Sequence, residues 1–554
     1  MAKLVALRIN NFRGIRNLEE KLDNSFICIV GRGDSGKSTF LEAISYVLSP
    51  NWNLSFYDTD FYNCETKDSI VIEATLVDVP RELISDDKFG LYLKQYADTD
   101  QKDEIDLSVL SDKLAITICL TVTSDLEPNW VVTSDAHLEP KPISSADRSK
   151  FNCHLMSDYV DRHFSWNKGS PLYSLKKMHD KESSLDRNLI LTALRDAQSK
   201  ISECGFEELS DLAEIIKDQA STMGMKIDDP KTSIDVRDLF GKDNKICLHD
   251  DLIPLRLKGK GSKRIISMAI QLALAKEGGI VLIDELEQGL EPNRIKNILH
   301  SLLGNHSGQI FITTHSRDAV VELKSELVLL MKQHDGESSL KKLDNIQGTV
   351  RACPEAFFAE KIIVCEGSTE VGLCRALDSY RIGNDCKPMA TIGCEYVNGE
   401  GSSLFSRANE IGALFPTCLF CDSDTETGEK EKKLINESKV KVLIVDCDKN
   451  YSIEDQLMKD LPWEAVVKLI NYVQRTGKVI PDDLLSLKDC KNGDAVARAR
   501  IAKEAKDKDR KWFKRIDHGE FLGEVVFEFF DEMKDTRTRK NFETLSRWID
   551  GNGS

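Results

Sequence analysis

The chain has 554 residues, 41% hydrophobic and 30% charged, and a formal net charge of −17. That length accommodates roughly three or four domains of a globular protein. The acidic balance excludes a surface coated with nucleic-acid-binding charge but permits one local basic groove. No run approaches the ~18 to 20 consecutive apolar residues that a membrane-spanning helix needs, so no membrane partner is expected.

Fifteen cysteines are scattered without a disulfide rhythm, and Cys28, Cys119, Cys365 and Cys421 sit inside apolar runs. This usage fits a reducing cytoplasm, with cysteine acting as a small buried hydrophobe. Cys418 and Cys421 have zinc-like spacing but no matching second pair.

The opening MAKLVALRIN turns polar too early for a signal peptide and reads as a first strand. The strand-like FICIV (26–30) then runs into GRGDSGKST and a helical FLEAISYVL. This is a P-loop in its strand–loop–helix context, which implies ATP. Gly31, Gly33, Asp34, Ser35, Gly36 and Thr39 form the cradle with Lys37 and Ser38. Backbone N–H groups there face phosphates, Lys37 reaches the β- and γ-phosphates, and Ser38 coordinates Mg²⁺.

Between 70 and 134 the runs SIVIEATLV, LAITICLTV and NWVVTS predict an antiparallel subdomain. From about 150 to 240 the periodicity becomes helical. In LDRNLILTALRDAQSKI, Leu185, Ile190, Leu194, Ala197 and Ile201 form one apolar face. Long heptads are absent, which argues against a coiled-coil arm.

The apolar run IVLIDE (280–285) supplies the acidic complement of the P-loop. Asp284 is the Mg²⁺-side carboxylate and Glu285 the residue that polarises the attacking water. QGLEP follows at D-loop distance, and IFITTHS ends in His315, where a γ-phosphate-sensing histidine would lie.

Together with LRINNFRGI near the start, this order resembles the ABC-type ATPase head of the RecF, SMC and OLD proteins. Such heads complete a partner's ATP site with a signature loop, which the resemblance assigns to LKGKGSKRIISMAIQLALA and to Gly259, Gly261 and Ser262. Lys258 stands where the family's serine is expected. FYDTDFYN falls in the Q-loop region without a glutamine, and Asp60 is the substitute there.

After residue 350 a second α/β pattern begins. In KIIVCEGSTEVGLCRAL an apolar strand ends at Glu366, and Glu370 enters the first helical turn, so both can face one crevice. TCLFCDSDTETG ends a second strand in Asp422 and Asp424, ~7 Å apart on one side if extended. A third strand, KVKVLIVDC, leads to NYSIEDQL with Glu454 and Asp455. A salt-bridge account would need basic residues in these turns, and none stands there.

The set resembles a Toprim domain over about residues 356–530, and the whole resembles the OLD-family nucleases. The fold implied is α/β: an ABC/RecF-like ATPase with an inserted helical dimerisation unit, followed by a Rossmann-like Toprim domain. The corresponding divisions are 1–148 and 245–350 for the ATPase, 149–244 for the insertion, and 351–554 for the Toprim domain with a helical extension.

In that family two glutamates and two aspartates bind divalent metal. The carry-over is to Glu366, Glu370, Asp422 and Asp424, with Glu426 and Glu454 as auxiliary ligands, beside Ser38 and Asp284 in the ATP site. Hard oxygen ligands suit Mg²⁺ or Mn²⁺. The resemblance also places a lysine late in the domain, assigned to Lys514 within ARIAKEAKDKDRKWFKR, where Trp512 and Phe513 interleave with basic residues. A solvated helix face is the alternative for that stretch.

The activity implied is ATP-regulated, metal-dependent endonuclease cleavage of DNA by a homodimer or higher even oligomer. Glu285, Glu366, Asp422 and Lys514 are the expected catalytic groups. The metal site leaves RNA open as the substrate. A RecF-like DNA-binding protein without cleavage is the competing class. The resemblance further implies bacterial antiphage defence, alone or beside a helicase or a retron's reverse transcriptase with its small DNA.

Overall fold

A computed structural model describes residues 2–22, 24–96, 113–134, 139–157, 160–166, 170–179, 207–234, 246–304, 307–334, 336–438, 440–478, 480–482, 484, 495–507 and 510–551. The chain divides into two compact units, Met1–Asn345 and Ile346–Ser554. Among the described residues no helix is long and apolar enough to cross a membrane.

In the first unit, β1 (Lys3–Phe12) and β2 (Ile15–Lys21) form an antiparallel hairpin. β3 (Phe26–Val30) is buried at every position, as a strand with parallel neighbours on both sides should be. It feeds helix α1 (Lys37–Val47). β4 (Ile70–Val77), β5 (Lys113–Val122) and β6 (Pro128–Thr133) follow, then β7 (Cys153–Met156), β8 (Ile280–Ile283) and β9 (Gln309–Thr313). β10 (Val328–His334) and β11 (Glu337–Lys342) close the series.

These strands belong to one sheet of thirteen among the described residues. Its order is Lys141–Pro142, β6, β5, β4, β1, β2, β11, β10, β3, β9, β8, β7, with Lys94–Tyr96 pairing β5. The antiparallel runs at 70–134 are therefore no separate subdomain, because β4 pairs directly with β1. The stretch β10–β3–β9–β8–β7 is parallel throughout. It sets the P-loop, the His315 loop and the Asp284 turn along one strand-end edge, where α/β sheets bind ligands.

The segment expected to begin a helical insertion at 149 differs in part. Cys153–Met156 is β7, parallel to β8 in the ATPase sheet. Helices α2 (Pro171–His179) and α3 (Glu207–Thr222) follow, and Pro230–Ile234 pairs into a small sheet with Ile246–Asp250 and Ile253–Pro254. The face expected from Leu185, Ile190, Leu194, Ala197 and Ile201 lies outside the described residues. Helices α4 (Lys260–Lys276) and α5 (Pro292–Leu302) flank β8 in sequence.

The second unit has a four-stranded parallel sheet of β12 (Lys361–Cys365), β13 (Cys394–Asn398), β14 (Thr417–Cys421) and β15 (Val442–Asp446). Their order is β13–β12–β14–β15. α6 (Ser368–Gly383), α7 (Leu404–Gly412), α8 (Glu426–Glu437) and α9 (Ile453–Asp460) connect and follow these strands. α10 (Ile516–Glu528) and α11 (Arg537–Ile549) complete the part that bears on the site. Cys418 and Cys421 are buried in β14 as packing residues.

Candidate functional site

The P-loop backbone approaches its surroundings closely. A Cβ at Gly31 would lie 2.5 Å from the Met331 carbonyl oxygen, so only glycine fits there. Lys37 is buried and donates to the carbonyls of Gly31 (3.0 Å) and Arg32 (2.6 Å) and to Ser35 Oγ (3.3 Å). Burial lowers its ammonium to about 8, against the opposing pull of Asp284 and Glu287. Ser38 Oγ donates to Asp284 Oδ1 at 3.1 Å, which brings the two expected Mg²⁺-side residues together.

Thr313 Oγ1 also donates to Asp284 Oδ1 (2.6 Å) and accepts the Glu285 N–H (2.8 Å). Glu285 is exposed, with a left-handed φ of 46°. His315 is exposed, and its backbone N–H donates to Glu287 Oε1 at 2.6 Å, while Thr314 Oγ1 donates to Glu287 Oε2. Burial and the nearby Lys37 lower the His315 imidazole. Sequence reading missed Glu287; its signal was a third acid two residues beyond Glu285.

Gly259 caps α4, and a Cβ at Gly261 would meet the Gly289 carbonyl at 2.8 Å, so the start of α4 packs on the turn after Glu285. Ser262 lies half-buried in the first turn of the same helix. Arg264, one turn on, donates to the carbonyls of Asp284 and Glu285. Asp60 does not face the phosphates: its Oδ1 accepts from Arg13 Nε at 2.8 Å and its Oδ2 from the Tyr57 N–H.

In the second unit, the parallel register sets Cys365 beside Phe420 and Cys421 beside Asp446. Glu366 and Asp422 therefore leave adjacent strand ends, and the Asp422 N–H donates to Glu366 Oε2 at 2.8 Å. Asp422 Oδ1 accepts the Ile453 N–H at the start of α9 (2.7 Å). Glu370, buried in the first turn of α6, accepts the Gly367 N–H (2.9 Å). Glu454 is fully buried, and its Oε2 accepts no hydrogen bond. Lys514 Nζ lies 2.9 Å from Glu454 Oε1.

Electrostatics binds these groups into one cluster. Burial, then Glu370, Glu366 and Glu454, push the Asp422 carboxyl up to about 9. Burial and Glu454 push Glu370 up to about 7, and burial raises Glu366, with Asp424 adding to the rise. Burial alone would lower Lys514, but Glu454, Glu370 and Asp422 outweigh it and hold the ammonium above its ordinary range. Asp424 is exposed on the adjoining loop, and Glu426 is exposed in the first turn of α8.

Lys514 reaches the acids because α10 crosses α6 at backbone contact. A Cβ at Gly372 would meet the Glu520 nitrogen at 2.4 Å, and one at Gly519 would meet the Thr369 carbonyl at 2.7 Å. Thr369 Oγ1 further donates to the Phe513 carbonyl at 3.0 Å. Trp512 and Phe513 are buried in the core. The aromatics of this stretch are therefore core residues that anchor Lys514, while Lys511, Lys514 and Arg515 are exposed.

A basic partner absent from the turns arrives from a helix. Lys432 on α8 is buried and donates to the Asp422 carbonyl (2.7 Å), Ser423 Oγ (2.7 Å), Glu429 Oε1 (3.0 Å) and Asp446 Oδ2 (3.0 Å). Arg537 of α11 donates to Asp446 Oδ1 at 2.6 Å. Lys432 sits behind the D-x-D turn, holding its backbone, and leaves the Asp422 carboxylate to the cluster.

Among the described residues no three His, Cys, Asp or Glu side chains are grouped closely enough to hold one ion as they stand. The donor set nevertheless fits a hard divalent cation. Four carboxyl groups gather around the Lys514 ammonium, and Glu454 Oε2 is buried without a hydrogen bond.

Residues 2–123 match the family described as "AAA ATPase domain", and residues 158–322 match "AAA domain, putative AbiEii toxin, Type IV TA system". The chain is similar to an "ATP/GTP phosphatase" of Helicobacter pylori (strain ATCC 700392 / 26695), 20% identical over 392 residues, covering 64% of this chain and 96% of the relative. Among solved structures, an Smc head bound to the C-winged helix domain of ScpA is 14% identical, with a TM-score of 0.38, over 62% of this chain and 99% of that one. The recombination mediator RecF with ATP is 15% identical, with a TM-score of 0.37, over 61% and 99%. The SMC head domain of Thermotoga maritima is 13% identical, with a TM-score of 0.30, over 61% and 98%. The two family matches, with the paired Ser38 and Asp284, make the first unit an ATPase domain. Both matches end before the second unit begins.

Proposed function

We propose that the chain is an ATP-regulated, divalent-metal-dependent nuclease of the OLD type, with an ABC-type ATPase head and a Toprim phosphodiesterase site. The observation that carries this reading is the convergence of Glu366, Glu370, Asp422 and Glu454 on Lys514 at one edge of a parallel sheet. As a device for stability the cluster is poor, since burying acids against one another costs free energy. A charge-demanding reaction gives it a purpose.

Glu366, Glu370, Asp422 and Asp424 would hold Mg²⁺ or Mn²⁺, with Glu454 beside them, and the ions when bound supply an activated water and charge for the leaving oxygen. The chain's own residues do the remainder. Burial and the neighbouring acids push the Asp422 carboxyl up, and a bound cation would favour its ionised form. The Asp422 N–H fixes the Glu366 carboxylate, and Ile453 fixes that of Asp422. Lys514 keeps a positive charge beside the position of the scissile phosphate, and Lys432 holds the strand end rigid behind it.

In the ATPase unit, Lys37 exchanges the carbonyls it now contacts for the β- and γ-phosphates. Ser38 and Asp284 would hold the accompanying Mg²⁺, Glu285 would polarise water, and His315 would face the γ-phosphate on the backbone held by Glu287. Gly259, Gly261 and Ser262 complete the site of a second copy in a homodimer. DNA is the proposed substrate and antiphage defence the proposed setting. A match to a family described as a toxin of a TA system accords with that setting.

The test is cleavage of plasmid, single-stranded DNA and structured RNA by the full chain, with Mg²⁺ or Mn²⁺ and with or without ATP. Nicking or degradation of DNA that disappears in Glu366→Ala is the expected outcome. ATP hydrolysis with no metal-dependent cleavage of any of the three would remove the nuclease reading.

A further inference from the structure

Beyond Glu366, Asp422 and Asp424, the cavity they line in the second unit extends to a volume of about 330 Å³. One wall is formed by Glu366, Asp422 and Asp424; the opposite wall is built by Ser402, Phe405 and Ser406. The first turns of α8 close a third side through Thr427, Gly428 and Glu431. We infer that this cavity is a subsite for one unpaired nucleobase of the strand being cut.

The size is the first argument. Ligand pockets begin at about 300 Å³, so this one takes a single nucleoside and excludes a base pair. A base still stacked in a duplex cannot enter it, whereas a base from a single strand or one swung out of the stack can. Position is the second. The cavity shares Glu366 and Asp422 with the acidic cluster, so a nucleotide whose phosphate lies at those acids has its neighbouring base at the cavity mouth.

Chemistry is the third argument. Phe405 is half-buried, and its ring reaches across α8: a Cβ at Gly428 would lie 3.5 Å from Phe405 Cζ. An aromatic face beside hydroxyls is how unstacked bases are held. The Glu431 carboxylate offers acceptor oxygens to the N–H donors of an unpaired base.

The Ser402 wall is also prebuilt. Glu400 and Gly401 both take left-handed backbone, φ 54° and 50°. Arg407, itself buried, donates to the Gly399 carbonyl and to Glu400 Oε2, each at 2.8 Å. The Gly401 N–H donates to the Glu366 carbonyl at 3.2 Å. The wall therefore hangs from the same strand end as the acid it faces.

This inference rests on the nuclease reading for the strand's direction, but its test is separable. Binding of a fluorescein-labelled single-stranded oligodeoxynucleotide to the full chain is measured by anisotropy, with Ca²⁺ replacing Mg²⁺ to retain the intact strand. Phe405→Ala should weaken binding about tenfold, the scale of one lost stacking contact, while Phe405→Trp retains it. A blunt duplex should be insensitive to both.

Equal binding of the single strand by wild type and Phe405→Ala overturns the subsite. If the chain cleaves nucleic acid through Asp422 but shows that equality, the subsite alone falls. If it cleaves nothing yet shows the Phe405 effect, the subsite stands and the nuclease reading falls.

Discussion

At the scale of the residue, Glu366 and Asp422 were legible because each ends an apolar run that reads as a buried strand. Lys432 was not, because helical periodicity and the fold, rather than adjacency, bring it to the D-x-D turn. Its four hydrogen bonds make Lys432→Met a test of positioning. Removing one partner of a buried ion pair costs about 3–5 kcal/mol, so the unit should melt earlier, and metal-dependent cleavage should fall at least about tenfold, a difference of ~1.4 kcal/mol. Arg537→Met, which leaves Lys432 in place, should retain more of both; calorimetry and initial rates check the pair.

The acids also predict a pH response. Asp422 and Glu370 hold protons in the folded chain that the unfolded chain releases, being pushed up to about 9 and about 7. Their contribution is full below the ordinary carboxylate range and is lost as pH rises toward about 9. In chelator, the second unit's melting temperature should therefore fall between about pH 5 and pH 9. Asp422→Asn should flatten that slope, and Mn²⁺ should raise the melting temperature most at the alkaline end, as differential scanning calorimetry can read.

At the scale of the element, the P-loop strand, the strand ending at Asp284 and the three strands of the acidic edge stood out as apolar runs stopped by glycine or acid. What sequence could not show was pairing between distant strands. The runs at 70–134 read as a subdomain, yet β4 pairs with β1, and β7 joins β8 from a segment whose surroundings read as helical. The crossing of α6 and α10 was hidden for the same reason: Gly372 and Gly519 mean little until they meet. Gly519→Ala should force the helices apart, because the new Cβ would meet a backbone carbonyl that cannot rotate away. Overpacking of this kind costs about 1–3 kcal/mol. Cleavage should fall with stability, since α10 begins two residues after Lys514, and chemical denaturation beside a rate measurement tests both.

At the scale of the whole molecule, an ATPase domain precedes a second compact unit that bears the acidic cluster. The order of motifs made this division legible near residue 350, and the structure places it between Asn345 and Ile346. Lys37→Ala should abolish ATP hydrolysis, because its ammonium, held on the loop carbonyls, is the group that would meet the β- and γ-phosphates. Basal metal-dependent cleavage without ATP should persist within about twofold, less than ~0.5 kcal/mol, as parallel phosphate-release and cleavage assays would show.

The measurement that bears most directly on the account compares strand cleavage in Mn²⁺ by the full chain and by Asp422→Asn, with circular dichroism confirming that both are folded. The account predicts cleavage by the wild type and loss of at least about a hundredfold in the variant, ~2.7 kcal/mol of transition-state stabilisation. Equal rates in the two would contradict it.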